Sequence, residues 1–322
     1  MQSKITLNLQ DMKTNMKFFV KFFSALALSL ICLAANAQPL LVQDKDYEKF
    51  SKISVEDNFV LRFVRSTGYS VTLKTDERIA AHVQAYVKNG TLYLILDEKG
   101  YSPELRKQLR QKGAAAPVLE ADIYMPDINA VVLKDKAIVV SCDQFETETF
   151  TLTASDNALV SHLDVTCSTG EINVSRNAQV TGTVNVSSKM YLAVSNSAQA
   201  SITQNGGNAF ISQGNSAYVD FKATLNSIEV EATGGSESHI SGTASHLTVT
   251  ASGLSRVDAE LLECKDGNVV QSGSSKCHLN VTDHLKVNLT GGSMLTFKRN
   301  PAFEIDRIVN STLIKADDSR RK

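Results

Sequence analysis

Apolar residues recur about every twenty positions through the second half of the chain. Four-residue turns that end in a small residue mark the repeat, as in SRNA at 175–178 and SNSA at 195–198. The last residues of nine such turns are Ala137, Ala158, Ala178, Ala198, Ala217, Ser238, Ser255, Ser275 and Ser293. In every copy, the residue six positions before this one and the residue two positions after it are apolar. An internal period of this length predicts a repeat protein.

Within a repeat, apolar and polar residues alternate, as in FTLTA at 150–154, which is typical of a strand with one buried face. One repeat cannot bury its apolar side alone, whereas stacked repeats form a continuous core with strands about 4.8 Å apart. The pattern predicts an all-β fold over residues 131–300: a right-handed parallel β-helix, or β-solenoid, with rungs of about 20 residues. The alternative is an antiparallel sandwich with a strand every 8–12 residues or so. The return of one turn type at one phase favours the solenoid.

Residues 38–130 lack this period and are predicted to be a separate β-rich segment. Strands are expected at 50–55, 60–65, 71–75, 82–87, 91–96 and 118–124. Asn89-Gly90 predicts a hairpin turn, and Ser102-Pro103 predicts the start of a short basic helix over 103–112. We expect this segment to cap the solenoid, whose first edge would otherwise be unpaired.

Residues 301–322 are predicted to be a closing segment with a polar tail. Phe303, Ile305, Ile308 and Val309 supply apolar side chains to close the stack, and ADDSRRK at 316–322 is typical of a solvated tail. The expected organisation is therefore 1–37, 38–130, 131–300 and 301–322.

The first 37 residues predict an N-terminal extension with a signal peptide. A basic region, MKFFVK at 16–21, precedes an apolar stretch at 22–33 that is shorter than the about 20 residues of a membrane span. The small residues of ANA at 35–37 predict cleavage between Ala37 and Gln38, with Met16 as the natural start. Cys32 follows a large residue, which argues against lipid attachment. We expect an exported protein without a membrane span, in the periplasm, on the outer surface or outside the cell.

The amino-acid composition argues against some classes of protein. Lys plus Arg is 33 and Asp plus Glu is 34, so the net charge is −1, which argues against broad electrostatic binding to nucleic acid. An apolar fraction of 43% is ample for a core and argues against disorder. The chain has no Trp to stack on sugars, although Tyr86, Tyr93, Tyr191 and Tyr218 are available.

Several short motifs point to a known family. They are FSKISV at 50–55, NGTL at 89–92, IYMP at 123–126, and GGS at 291–293 with Pro301 after it. Together with the repeated Ser-Gly turns, they are similar to the head GIN domain family of auto-transporter adhesins over residues 47–301. The resemblance implies a secreted or envelope β-solenoid protein of Gram-negative bacteria with an adhesin role. It implies no catalytic residues.

The cysteines after residue 37 are Cys142, Cys167, Cys264 and Cys277. Cys167 and Cys264 share a phase but lie five rungs apart, about 24 Å at strand spacing. A disulfide needs Cα atoms within about 7 Å. We therefore expect buried, unpaired thiols that act as small apolar side chains.

The histidines are His82, His162, His239, His246, His278 and His284. Counted from the turns above, those in the repeats fall at different phases, so no column of metal ligands is expected. The spacing of His239 and His246 is also not typical of a zinc site. The sequence therefore predicts no metal and no cofactor.

Two surface features allow an alternative interpretation. Asp220 and Asp258 share a phase two rungs apart, with Ser241 between them, and about 9.6 Å could suit an inverting pair of carboxylates in a glycan-cleaving enzyme. The basic helix over 103–112 could contact an anionic glycan, lipopolysaccharide or membrane surface. For both features a solvated surface is the commoner explanation, with Leu105 and Leu109 as the buried side of the helix.

The sequence therefore favours a non-catalytic, adhesin-like binding protein of the cell envelope or the medium, with no catalytic, cofactor or metal residues. Its expected partner is a surface glycan or a host or matrix protein, and not nucleic acid. One alternative is a glycan-active β-helix enzyme, either a polysaccharide lyase or a hydrolase. The other is a structural envelope protein without a ligand.

Overall fold

The computed structural model describes residues 39–316. They form a β-solenoid of about ten turns with rungs of about 19 residues, so the predicted all-β solenoid is confirmed. The predicted signal peptide and the cleavage between Ala37 and Gln38 lie outside the described residues, as does the tail from 317 onward. None of the helices between 39 and 316 is long and apolar enough to cross a membrane.

The front part of the described chain, residues 39–125, contains seven strands and one α-helix. The strands are β1 (Leu40–Asp46), β2 (Lys52–Val55), β3 (Val60–Arg65), β4 (Ser70–Asp76), β5 (Val83–Lys88), β6 (Thr91–Leu96) and β7 (Leu119–Met125). Short 3-10 segments lie at Ala80–His82 and Glu98–Gly100, and helix α1 spans Pro103–Leu109. The predicted hairpin is confirmed, because β5 and β6 are antiparallel and Asn89 and Gly90 between them have φ of 53° and 70°.

Helix α1 begins as predicted but ends three residues early. The Ser102 hydroxyl accepts a hydrogen bond from the backbone N–H of Leu105 at 3.1 Å, and Pro103 opens the first turn. The helix stops at Leu109 rather than at 112. Leu105 and Leu109 pack against the core, and the polar residues that follow have no apolar side chain to anchor another turn.

The remaining strands form the rungs. They are β8 (Ala130–Leu133), β9 (Ile138–Cys142), β10 (Phe145–Ala154), β11 (Leu159–Val160), β12 (Asp164–Val174), β13 (Gln179–Val194), β14 (Gln199–Asn205), β15 (Asn208–Gln213), β16 (Tyr218–Ala232), β17 (Glu237–Ala251), β18 (Arg256–Gln271), β19 (Lys276–Thr290), β20 (Met294–Lys298), β21 (Ala302–Val309) and β22 (Thr312–Lys315). Each pairs in parallel with a strand of a neighbouring rung, for example β16 with β17 and β17 with β18.

Columns of inward side chains run along the core. One column consists of Leu92, Ile53, Val131, Leu152, Ile172, Leu192, Ile211, Val230, Val249, Val269, Val287 and Ile305. All of its members except Ile305 are buried. The repeat period thus produces the core directly, because residues at one phase stack on one another through the parallel pairing.

The front strands also continue the parallel pairing of the solenoid, in addition to capping it. β2 pairs in parallel with β8, and β3 pairs in parallel with β9. Parallel pairing therefore includes strands ahead of residue 131, where the sequence analysis places the first rung. Beyond them, β4 lies antiparallel to β7 and β5 lies antiparallel to β6, which ends the parallel ladder.

One predicted turn was placed two residues too late. The turn ending at Ser238 is in fact Thr233-Gly234-Gly235-Ser236, because Val219 pairs with Ser238. The spacing from Ala217 to Ser255 then divides into 19 and 19 rather than 21 and 17. The error is easily made, since a two-residue shift along a strand keeps the same side chains on the same face.

The apolar side chains of the last rung are more exposed to solvent than expected. Phe303 and Ile305 lie on β21, which pairs with β19, and Ile305 remains 55% exposed. Ile308 and Val309 are also exposed. These residues extend the stack by one rung, and among the described residues no further strand covers them.

Candidate functional site

Four outward residues of alternating type line up on neighbouring rungs. Asp220 on β16 pairs with His239 on β17, His239 pairs with Asp258 on β18, and Asp258 pairs with His278 on β19. We call these four residues the acid–histidine column. They point outward because each lies one position beyond an inward residue of its strand, such as Val257 beside Asp258.

The column corrects two expectations. His239, and not Ser241, lies between Asp220 and Asp258. His239 and His278 share one phase, two rungs apart, whereas counting from the predicted turns gives the histidines different phases. Both errors arise because the turn was predicted at 235–238, whereas it lies at 233–236. Every residue of this rung that is counted from the predicted turn is therefore shifted by two positions.

A third carboxylate joins the column. Glu260 follows Asp258 by two residues, so alternation places both on the outer face of β18. The backbone N–H of Glu260 donates to Asp258 Oδ1 at 3.2 Å, and Lys298 Nζ lies 2.5 Å from Glu260 Oε1. The register with β17 shifts between Asp258 and Leu261, and the register with β19 shifts between Ala259 and Glu263, so Glu260 lies within a bulge of β18.

These side chains surround a small pocket. Asp220, His239, Asp258 and Glu260 line a volume of about 170 Å³ together with Ile240, Ser241 and Leu261. His239 Nδ1 lies 3.9 Å from Asp258 Oδ2, and its Nε2 lies 3.3 Å from Glu237 Oε1. Three carboxylates and an imidazole around one pocket can hold a cation or exchange a proton with a ligand.

A second cluster of the same chemistry lies elsewhere on these rungs. Asp266 pairs with His246 on one side and with His284 on the other. Asp266 Oδ2 is 3.2 Å from His246 Nδ1, whereas Asp266 Oδ1 is 3.1 Å from His284 Nδ1. Each ring meets a different oxygen of one carboxylate, so the two imidazoles lie on opposite sides of it.

The sequence matches the model of a known protein family. The model described as "Putative auto-transporter adhesin, head GIN domain" matches residues 49–186 and 154–301. The chain belongs to this family. No curated protein matches the sequence.

Three solved structures similar to this GIN-domain protein come from Parabacteroides. A "putative adhesin from Parabacteroides merdae ATCC 43184" shares 15% identity with a TM-score of 0.45, over 88% of this chain and 98% of its own. A "putative adhesin from Parabacteroides distasonis ATCC 8503" shares 17% identity with a TM-score of 0.44, over 87% and 98%. A "putative lipid binding protein" from the same strain shares 12% with a TM-score of 0.44, over 88% and 98%.

The basic helix of the GIN-domain protein packs as a solvated helix would. The guanidinium of Arg106 donates to the backbone carbonyl of Lys99 at 2.8 Å. Leu105 and Leu109 contact the core, which is the arrangement expected of the commoner alternative. Arg106 and Arg110 line a pocket of about 400 Å³ together with Glu98 and Lys99.

The cysteines are unpaired in the structure, as expected. Cys167, Cys264 and Cys277 are buried, and Cys142 is half-buried. Burial raises the pKa of Cys167 to about 11 and the pKa values of Cys264 and Cys277 to about 12. These thiols are therefore protonated at neutral pH and react slowly, because the thiolate is the nucleophile.

We expect the chain from Gln38 onward to give four reactive thiols in denaturant without reductant. In native buffer at about pH 8 the count should be markedly lower over the same time, because burial suppresses the thiolate. A thiol-reactive chromophore measures both counts. Two or fewer thiols in denaturant would mean that disulfides form, which contradicts the arrangement described above.

Proposed function

We propose that this protein is exported and acts as a non-catalytic, adhesin-like binding module of the cell envelope or the surrounding medium. The signal-peptide pattern at 16–37 supports export. Membership of an adhesin family supports a surface partner. The partner class that fits best is a surface glycan or a matrix protein.

The observation that carries the proposal is a row of polar side chains across three rungs. Asn205 Nδ2 donates to Asn185 Oδ1 at 2.9 Å, and Asn185 Nδ2 donates to Thr166 Oγ1 at 3.3 Å. We call Thr166, Asn185 and Asn205 the amide row. The row lines a groove of about 600 Å³, which Glu146, Thr147 and Ser187 also line.

The amide row is suited to a polymeric polar ligand. Parallel pairing fixes its members about 4.8 Å apart, and each amide has donor and acceptor capacity beyond the hydrogen bonds that it makes within the row. The hydrogen bonds between rungs also hold the side chains in place, which lowers the entropy lost when a ligand binds. Repeated weak contacts of this kind add up along an extended ligand.

We expect the double variant Asn185→Ala/Asn205→Ala to weaken binding to a glycan or matrix protein about tenfold. Two lost hydrogen bonds of about 0.5–1.5 kcal/mol each correspond to such a change. The measurement is surface plasmon resonance of the purified protein against a panel of surface glycans and matrix proteins. The matched control is Asn268→Ala/Asn288→Ala on the outer face of β18 and β19, which should bind like the native protein.

Other outcomes separate the alternatives. No binding across the panel would favour a structural envelope protein. An enzyme is the second candidate, because Asp220 and Asp258 lie on one face with His239 between them. If pectins, glycosaminoglycans or bacterial polysaccharides released products with the native protein and not with Asp220→Asn/Asp258→Asn, the enzyme would replace the binding module.

A further inference from the structure

Three potential metal ligands lie close together around Asp258 and His278 of the acid–histidine column. One ligand atom each from Asp258, Glu260 and His278 lies within 4.8 Å of the other two. Within residues 39–316 this is the one group of three His, Cys, Asp or Glu side chains with that geometry. Two carboxylates and an imidazole are a donor set that suits divalent transition metals.

We propose that Asp258, Glu260 and His278 form a binding site for a divalent transition-metal ion of the zinc type, with His239 as a fourth ligand. Zinc–oxygen and zinc–nitrogen bonds of about 2.0–2.2 Å place the donors of a tetrahedral site roughly 3.3–3.6 Å apart. Small rotations of these half-buried side chains contract a 4.8 Å group to that size. The imidazole favours this class of ion over Mg²⁺ or Ca²⁺, which prefer oxygen donors alone.

His239 completes the set from the opposite side. It lies on β17, one rung before Asp258, whereas His278 lies on β19, one rung after it. His239 Nδ1 is already 3.9 Å from Asp258 Oδ2. An ion held by Asp258 is therefore within reach of an imidazole from each neighbouring rung.

The scaffold holds the donors before an ion arrives. His239, Asp258 and His278 lie on hydrogen-bonded strands in a defined register rather than on loops, and sites built on such elements are the more precise ones. The backbone N–H of Glu260 holds Asp258 Oδ1 at 3.2 Å, which leaves Oδ2 on the side of His239. Lys298, 2.5 Å from Glu260 Oε1, positions the second carboxylate beside the first.

The local charge also attracts a cation. Asp220, Asp258 and Glu260 line the same pocket, and Lys298 offsets one of the three negative charges. The pocket of about 170 Å³ beside His239, Asp258 and Glu260 leaves room for an ion next to these ligands.

The test is calorimetric titration of the chelator-treated protein with ZnCl₂. We expect one Zn²⁺ per chain, and at least about a tenfold loss of affinity in His278→Ala, since even partners that only orient a ligand are worth this much. The matched control is His284→Ala. It removes the same side chain from the other His–Asp cluster, whose three ligand atoms do not lie within 4.8 Å of one another.

A second measurement tests whether the His278→Ala variant is still folded. His278 is outward and half-buried, so His278→Ala should keep the circular dichroism spectrum of the native protein. Co²⁺ in place of Zn²⁺ should give visible absorption bands in the native protein and in His284→Ala, and weaker bands in His278→Ala. The proposal is overturned if millimolar ZnCl₂ produces no binding, or if His284→Ala loses affinity while His278→Ala keeps it.

Discussion

Replacing Val257 by Asp should destabilise the solenoid by about 4 kcal/mol or more, because an unpaired carboxylate would enter the core. Val257 is fully buried in an inward column, between Ser238 of the preceding rung and Cys277 of the next. Neither neighbour carries a positive charge. The free energy of unfolding, measured by denaturant melts, reports the loss.

The matched control is Val270→Asp in the same strand, β18. Val270 points outward and is 39% exposed, so the new carboxylate remains in water. We expect a loss of about 1 kcal/mol or less, which reflects the lower strand preference of Asp. Similar losses in the two variants would contradict the assignment of inward and outward positions in β18.

Gly242→Ala should be the second severe substitution, with a loss of about 3 kcal/mol or more from positive φ and backbone overlap together. Gly242 has φ of 109°, which residues with a Cβ rarely adopt. A methyl group at this position would overlap the backbone carbonyl oxygen of Ala223 on the preceding rung. The overlap cannot be relieved by a side-chain rotation, because both partners belong to the paired backbone of β16 and β17.

Gly214→Ala is the control for this prediction. Gly214 lies in a turn without a positive φ, and the nearest contact of an added methyl group would be Thr233 Oγ1 at 3.5 Å. We expect its stability to change by about 1 kcal/mol or less, in either direction. A Gly242→Ala variant that melts like Gly214→Ala would contradict the close approach of the two rungs.

The apolar columns could be predicted from the sequence because the pairing is parallel and repeats with the period. Residues at one phase, such as Val131 and Leu152, must then be neighbours. The capped helix start at Ser102 and the hairpin at Asn89-Gly90 were equally accessible, since each depends on a few adjacent residues. The antiparallel pairing of β4 with β7 was not predicted, because residues far apart in sequence decide it.

The acid–histidine column was missed for a more specific reason. Its discovery depends on the register of one rung, and a two-residue shift leaves the apolar pattern intact while exchanging His239 for Ser241. Nearly equal steps of 19 between turns were the signal that could have located Thr233-Gly234-Gly235-Ser236. The third carboxylate, Glu260, could not be assigned from the period, because it lies in a bulge where the register breaks.

The serial stacking of the rungs has a mechanical consequence. Each rung is hydrogen-bonded only to the rungs before and after it, and the last one, formed by β21 and β22, has a described neighbour on one side alone. Under tension along the chain, this rung should detach first and the others should follow in order. Each step releases about 19 residues, or roughly 60 Å of extended chain. A tether built in this way lengthens in increments and dissipates work at each one, rather than failing in a single event.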